Sequence, residues 1–352
     1  MHKHKLGVVI GRFQPVHLNH LTHLIIPALK QSDELLILLG SSKRARDIKN
    51  PFLWTERRDM IVRALQELEP ELDISKLRFE PIKDYPYSDI RWQIKVQGAV
   101  QAHVYHQNTE ITLFGVDKDA STYYLRMFPY WNTQMLDSIS IMNATTIRTA
   151  WFEDKFHTVA TGLEASTVSY LNAFLACGEG RRLLEEYKHI QDYKSGWDNA
   201  PYPPIHHTID VVIIWRGMVL LVKRNAQPGK GLLALPGGFL RDNEWVIQGG
   251  LRELNEETRI RFWVKDSTKR LRLSKHWVNK SHMFDNPDRS LRGRTITNAY
   301  LCLIPDEFEI DLQAGDDAST ARFYPLFQVL ENMGYDLFED HQAIIANMVL
   351  SI

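Results

Sequence analysis

The chain is poor in the features that would announce its class. Its 352 residues include only two cysteines, Cys177 and Cys302. They are too few and too far apart for a disulfide framework, and both read as buried free thiols in a reducing compartment. The formal net charge is −1, so no basic excess points to nucleic acid. Long apolar runs are missing: Leu6 to Ile10 is too short for a signal peptide, and nothing approaches the length of a membrane span. Internal repeats and low-complexity stretches are lacking too. What is there is an ordinary globular composition, 44% hydrophobic and 24% charged, at a length that suggests two domains. A cytoplasmic protein that binds neither nucleic acid nor membrane is the expectation.

A Pro-rich break, Asn199-Ala200-Pro201-Tyr202-Pro203-Pro204, divides the chain into a first domain at 1–190, a linker at 191–205 and a second domain at 206–352. In the first domain short apolar runs read as strands: Leu6 to Ile10, Leu35 to Leu39, Phe79 to Ile82 and Ile111 to Phe114. They alternate with helical stretches, and that alternation predicts an α/β fold with a doubly wound parallel sheet. The first strand empties into Gly11-Arg12-Phe13-Gln14-Pro15, followed by His17 and His20. Strand, glycine turn and helix aim backbone N–H groups at an anion, and two histidines three apart share a helix face. The second strand leads to a basic loop with Lys43, Arg44 and Arg46, then Asn50-Pro51-Phe52 and Arg57. At the carboxyl end of a parallel strand such a loop is where an open sheet takes ligands.

Gly11-Arg12-Phe13-Gln14-Pro15-x-His17, with His20 completing a His-x-x-His pair, resembles the archaeal-type nicotinamide mononucleotide (NMN) adenylyltransferases of the nucleotidyltransferase superfamily. Asn19 replaces the glycine of that signature. The resemblance extends to Ile141-Met142-Asn143-Ala144-Thr145-Thr146-Ile147-Arg148, which is similar to the second signature, with Thr145 expected to cap the helix that carries Arg148. It implies a Rossmann-like domain in which His17, His20 and Arg148 are catalytic. Gly11, Arg12, Phe13, Arg46, Arg57, Asp84, Trp92, Lys118, Asp119 and Thr145 would then contact ATP or NMN. For Trp92, stacking on the nicotinamide ring and plain core packing are both open.

In the second domain Thr208 to Trp215 and Met218 to Lys223 flank Arg216-Gly217, a hairpin signal. Further on, Gly237-Gly238 precedes a helix expected to begin near Glu244, with Asp242 or Asn243 as its cap. On it Glu253, Glu256 and Glu257 fall at i, i+3 and i+4 and share one face. Three carboxylates together call for a hard divalent cation such as Mg²⁺, with Mn²⁺ as an alternative. Gly238, five residues, Glu244, seven residues and Arg252-Glu253-Leu254-x-Glu256-Glu257 resemble the Nudix box. One position departs, Arg259 standing where the family has glycine. The resemblance implies an α/β/α sandwich in which the glutamates hold metal while Arg252 and Glu244 brace the loop. The basic stretch Phe284 to Arg294 resembles the substrate loop of Nudix hydrolases acting on ADP-ribose and nominates Arg289 and Arg294 alongside Gly237 and Gly238. Charge balance for the acidic residues from Asp306 to Asp317 is the other reading of those arginines.

Together the resemblances imply a homo-oligomeric bifunctional enzyme of NAD metabolism. One half would join ATP and NMN into NAD and pyrophosphate; the other would split ADP-ribose into AMP and ribose 5-phosphate. Transfer to another phosphate such as phosphopantetheine is a rival for the first half. A non-catalytic ADP-ribose sensor, or a hydrolase of NADH, is a rival for the second.

Overall fold

A computed structural model describes residues 3–106, 108–116, 120–137, 142–265, 267–315 and 318–350. Lys118, Asp119, Asp316 and Asp317 lie outside the described residues. The contacts divide the chain into two compact units, Met1–Tyr187 and Lys188–Ile352.

The first unit is built on five strands: β1 (His4–Gly11), β2 (Glu34–Leu39), β3 (Leu77–Pro81), β4 (Thr109–Gly115) and β5 (Asn132–Met135). Their order is β3-β2-β1-β4-β5 and every pairing is parallel. Alternation along β2 gives the sheet two apolar faces. Leu35, Ile37 and Leu39 enter one cluster with Ile61, Ile147 and Leu171 from the helices. Leu36 and Leu38 enter another with Val96 and Val100 of the Asp89–Gln101 helix. Helices therefore cover both faces, as a doubly wound sheet requires. The strand order reverses between β1 and β4, and the crevice outside the carboxyl ends of these strands is the ligand position of such a sheet.

The second unit carries β6 (His206–Trp215), β7 (Met218–Arg224), β8 (Leu233–Ala234), β9 (Gly237–Phe239), β10 (Arg261–Val264), β11 (Lys280–Phe284), β12 (Thr295–Ile304), β13 (Phe308–Asp311) and β14 (Ala318–Pro325). The main sheet runs β11-β12-β6-β7-β14, with β8 on β7 and β9 on β6, and β10 pairs separately with β13. Arg216 (φ 48°) and Gly217 (φ 70°) form the expected hairpin turn, both in the left-handed region that a two-residue hairpin demands. Val211 and Ile213 of β6 pack with Leu254 of the Val246–Thr258 helix. Asp210 points to the other face, where His341, at the start of the His341–Leu350 helix, comes within 3.8 Å. Helices thus flank the sheet on both sides, giving the α/β/α sandwich.

No helix among the described residues is long and apolar enough to cross a membrane. Cys302 is buried as expected, but Cys177 is exposed, because it follows the last turn of the Ala165–Ala176 helix instead of facing the core.

Candidate functional sites

In the first unit the glycine turn after β1 is built around Phe13. This residue is left-handed (φ 48°) and only 3% exposed. A Cβ on Gly11 would lie 2.7 Å from its ring, so the glycine makes room for the aromatic. Ser41 (φ 49°) and Lys43 (φ 56°) in the loop after β2 share the strained conformation. Three non-glycine residues held this way at strand exits mark a backbone shaped for something other than stability. Gln14 joins the turn to the Asn50-Pro51-Phe52 segment: its amide donates to the Phe52 carbonyl and accepts from the Phe52 N–H, both at 3.0 Å.

His17 caps the helical run that starts at Leu18, its carbonyl accepting from the N–H of His20 at 2.8 Å. The two imidazoles stack with centroids 3.6 Å apart. Arg148 reaches the same turn and donates to the Gln14 carbonyl at 2.6 Å. Burial, then the charge of Arg12, pulls its pKa down to about 10. Two guanidiniums that disfavour each other beside two histidines form a place prepared for a polyanion.

Several expected ligand contacts turn out to be internal. Arg57 is 1% exposed and donates to the carbonyls of Arg12 (2.6 Å) and Gly40 (2.7 Å) and to the Ser42 hydroxyl (2.9 Å). It ties the exits of β1 and β2 together and is out of a ligand's reach. Arg46 spends its fork on Glu56, at 2.6 and 2.9 Å, and on the Pro51 carbonyl. The helix cap is Asn143, whose side chain accepts from the Thr146 N–H at 2.9 Å. Thr145 lies two residues further on, inside the helix, and accepts from Arg148 at 3.3 Å. Asn19 donates to the Met142 carbonyl at 3.3 Å, linking the two signatures. Asp84 accepts from the Ser41 N–H at 3.1 Å. Trp92 is half-buried among Tyr124 and Phe128, with ring centroids 6.0 and 6.1 Å away.

In the second unit the acidic helix begins at Val246, two residues later than expected. Trp245 is the cap residue, and its N–H donates to Gln248 at 3.0 Å. Glu244 therefore precedes the helix. Arg252 binds it with both ends of the fork, at 2.6 and 2.9 Å, and holds its carboxyl down to about 2. Arg252 also donates to Glu253 (2.6 Å), Glu256 (2.9 Å) and the Phe239 carbonyl (3.2 Å). Glu257 accepts from the Gly237 N–H at 3.0 Å. Burial, reinforced by Glu253, pushes its pKa up to about 8 despite that bond. A Cβ on Gly238 would stand 2.5 Å from the Glu253 carboxylate, which explains the glycine. Arg259 ends the helix in the left-handed region (φ 44°), the conformation the family's glycine would adopt, so the departure changes local strain and leaves the trace intact.

The arginines of the 285–294 loop are buried or paired. Arg289 has a side chain 2% exposed and bonds Asp340 at 3.0 and 3.1 Å, with Asp210 3.8 Å away. Arg294 closes its own loop by donating to the Asp285 carbonyl. Arg289 is withdrawn from solvent whereas Arg294 stays partly exposed, and the acids that balance Arg289 are Asp210 and Asp340 instead of those after Asp306. Glu339 lies beside them with φ 43° and accepts from Ser290 at 2.7 Å. His341 takes the Leu235 N–H at 2.8 Å and is pulled down to about 3 by burial, so it stays neutral while fixing the strand that leads to Gly237.

A Cytidylyltransferase-like family model matches residues 8–136 and a NUDIX domain model matches residues 204–346. The nicotinamide/nicotinic acid mononucleotide adenylyltransferase of Acinetobacter baylyi is 37% identical over 53% of this chain and 96% of its own length. The ADP-ribose pyrophosphatase of Methanocaldococcus jannaschii is 34% identical over 39% of this chain and 69% of its own. The structure of a bifunctional NMN adenylyltransferase/ADP-ribose pyrophosphatase from Francisella tularensis, in complex with AMP and a manganese ion, superposes with a TM-score of 0.87. It is 32% identical over 99% of both chains.

This chain belongs to the bifunctional NMN adenylyltransferase/ADP-ribose pyrophosphatase family. The residues present fit a hard divalent cation, since the Val246–Thr258 helix offers carboxylate oxygens from Glu253, Glu256 and Glu257 along one edge. They do not form a closed cage: among the described residues no three His, Cys, Asp or Glu side chains gather tightly enough to hold an ion unaided. Arg252 bridges Glu253 and Glu256, and a loosely held ion that shares its shell with water and a diphosphate suits such a face. What sequence reasoning missed is the support: Gln14, Glu56, Asp210, Glu339, Asp340 and His341. Gln14 stood inside the glycine-turn motif with no role assigned to it, and the run Glu339-Asp340-His341 carried no spacing that marked it.

Proposed function

We propose that the first unit transfers AMP from ATP to NMN, giving NAD and pyrophosphate, and that the second hydrolyses ADP-ribose to AMP and ribose 5-phosphate. The observation that carries the reading is the pair of complementary sites in one chain whose whole length matches a bifunctional relative. In the first reaction the NMN phosphate attacks the α-phosphorus of ATP. His17, His20, Arg12 and Arg148 would orient the triphosphate and offset charge that grows on the leaving pyrophosphate, which is most of what phosphoryl-type transfer needs from protein. Arg57, Arg46 and Gln14 hold the loops that carry them.

In the second reaction Glu253, Glu256 and Glu257 would hold a divalent ion, Mg²⁺ in the cell and Mn²⁺ as a substitute. When bound, the ion supplies charge neutralisation at the diphosphate. Glu244 and Arg252 fix the helix edge, and Gly237 and Gly238 let the backbone approach. A sensor role is the weaker reading because all three carboxylates of the box are retained. The remaining expectations, a cytoplasmic homo-oligomer that binds no nucleic acid, are tested by light scattering and fractionation.

The decisive experiment follows AMP release from ADP-ribose with Mg²⁺, beside NAD formation from ATP and NMN, in the same preparation. Both activities support the reading; tight ADP-ribose binding with no AMP release would reduce the second unit to a sensor.

A further inference from the structure

The histidine pair of the first unit opens a helix that is not regular. Leu18–His20 is α-helical, Leu21–Ile25 is a π-helical turn, and Ile26–Lys30 is α-helical again. Across the wide turn the Ile26 N–H donates to the Leu21 carbonyl, five residues back instead of four. Packing by itself would accept a straight helix. Leu21, Leu24, Ile25, Ala28 and Leu29 are all buried, and their spacing is that of one apolar α-helical face.

The cause lies just beyond the turn. Pro27 has no N–H to give the His23 carbonyl four residues back, and its ring would clash with that carbonyl in a continuous α-helix. Here it stands in the first turn of the resumed helix, where a missing donor is tolerated. On the upstream side the Thr22 hydroxyl donates to the Leu18 carbonyl at 2.9 Å, a back-bond that loosens the same stretch. Single wide turns of this kind are frequent at functional sites.

The wide turn adjoins the histidines directly. The His17 carbonyl accepts from the N–H groups of His20 (2.8 Å) and Leu21 (3.2 Å), and Leu21 begins the turn. His20 is held between Phe13, edge-on at 4.9 Å, and His17, stacked at 3.6 Å. One extra residue in a turn corresponds to about 100° of rotation about the helix axis. Closing the turn while Ile26–Lys30 stays anchored would swing His20 out from between those rings.

We propose that Pro27 is a positioning residue for adenylyl transfer: it keeps the Leu21–Ile25 turn wide, and the wide turn sets His20 alongside His17. This rests on the nucleotidyltransferase reading of the first site. Pro27 acts through the direction of an imidazole, so its effect falls on kcat more than on substrate binding.

The test uses full-length protein carrying Pro27→Ala or Pro27→Gly, both of which restore an N–H. Each variant is expected to lose roughly 10- to 100-fold in kcat for NAD formation, with KM for ATP and NMN little changed. The melting temperature is held or raised in Pro27→Ala and lowered in Pro27→Gly, because alanine favours a continuous helix and glycine does not. A similar loss of kcat in both, while stability moves in opposite directions, is the mark of positioning. In histidine NMR spectra, assigned with His17→Asn and His20→Asn, the imidazole C–H signals of the pair lose the upfield shift of stacked rings in both variants. Unchanged kcat in Pro27→Ala, or a loss of activity that follows the melting temperature, would overturn the proposal. If the unsubstituted protein forms no NAD, the transferase reading fails on its own. The histidine signals then decide the role of the turn, upholding it if they move in the variants and overturning it if they do not.

Discussion

Around the carboxyl ends of β1 and β2 the first unit gathers positive charge and histidine: Arg12, Arg148, His17 and His20. Along the Val246–Thr258 helix the second unit gathers Glu253, Glu256 and Glu257. Both are fitted to a pyrophosphate, one that forms the bond and one that breaks it. On the proposed reading the first would meet phosphate with its own cations, one of which, Arg148, is pulled down to about 10 chiefly by burial and then by the charge of Arg12. The second would meet it through a borrowed cation, and there Glu257 is pushed up to about 8 chiefly by burial, with Glu253 adding to the rise. Each site holds a buried charged group shifted towards its neutral form, in opposite senses, and in the proposed reactions each would be relieved by what it binds.

That contrast can be broken experimentally. The largest effect is expected for Glu257→Gln, which should lower AMP release from ADP-ribose by roughly 1,000-fold, the upper range for loss of a group that organises transition-state charge. NAD synthesis should be untouched, and an equal loss of both activities would end the idea of two separate sites. His17→Ala is the mirror experiment, with NAD formation down roughly 100-fold and hydrolysis unchanged.

Support residues should act more gently. Arg57→Lys leaves buried carbonyls of Arg12 and Gly40 short of a donor and should cost about 1–3 kcal/mol, read from the urea midpoint. A nucleotide-contact role would instead raise KM for ATP with no change in the midpoint. The smallest effect is a pH dependence. Glu244 has its folded-state pKa depressed to about 2 from 4.5 by Arg252. It contributes stability that is fully present above pH 4.5 and is lost as pH falls towards 2. Glu244→Gln should flatten that part of the stability profile, measured by thermal melts across the acid range. An unchanged acid limb would mean that the Arg252 fork adds nothing there.

How much could be read in advance differs between the strands and the charges. Leu35 to Leu39 announced β2 because a doubly covered strand is an uninterrupted apolar run. Asn132–Met135 gave no warning of β5, because it is an edge strand with mostly exposed polar side chains. The glutamates of the acidic helix were legible because i, i+3 and i+4 fix a common face within a single turn. Arg46, Arg57 and Arg289 looked like ligand contacts because the resembled families place contacts at such positions, and a basic residue carries no mark in the sequence of whether its partner is a phosphate or a protein oxygen. Their partners are Glu56, the Arg12 and Gly40 carbonyls, and Asp340, as far as 51 residues away.

The sequence by itself determined the two-part organisation, the strand and helix types, the glycine turn with its histidines, and the carboxylate edge. These depend on periodicity and spacing, which act within a few residues. Tertiary structure decided which charges face a ligand and which brace the frame. It placed Asn143 and not Thr145 at the helix cap, and it brought His341 to the Leu235 N–H. Those outcomes depend on burial and on neighbours distant in the chain. A buried guanidinium must find an acceptor wherever the fold supplies one.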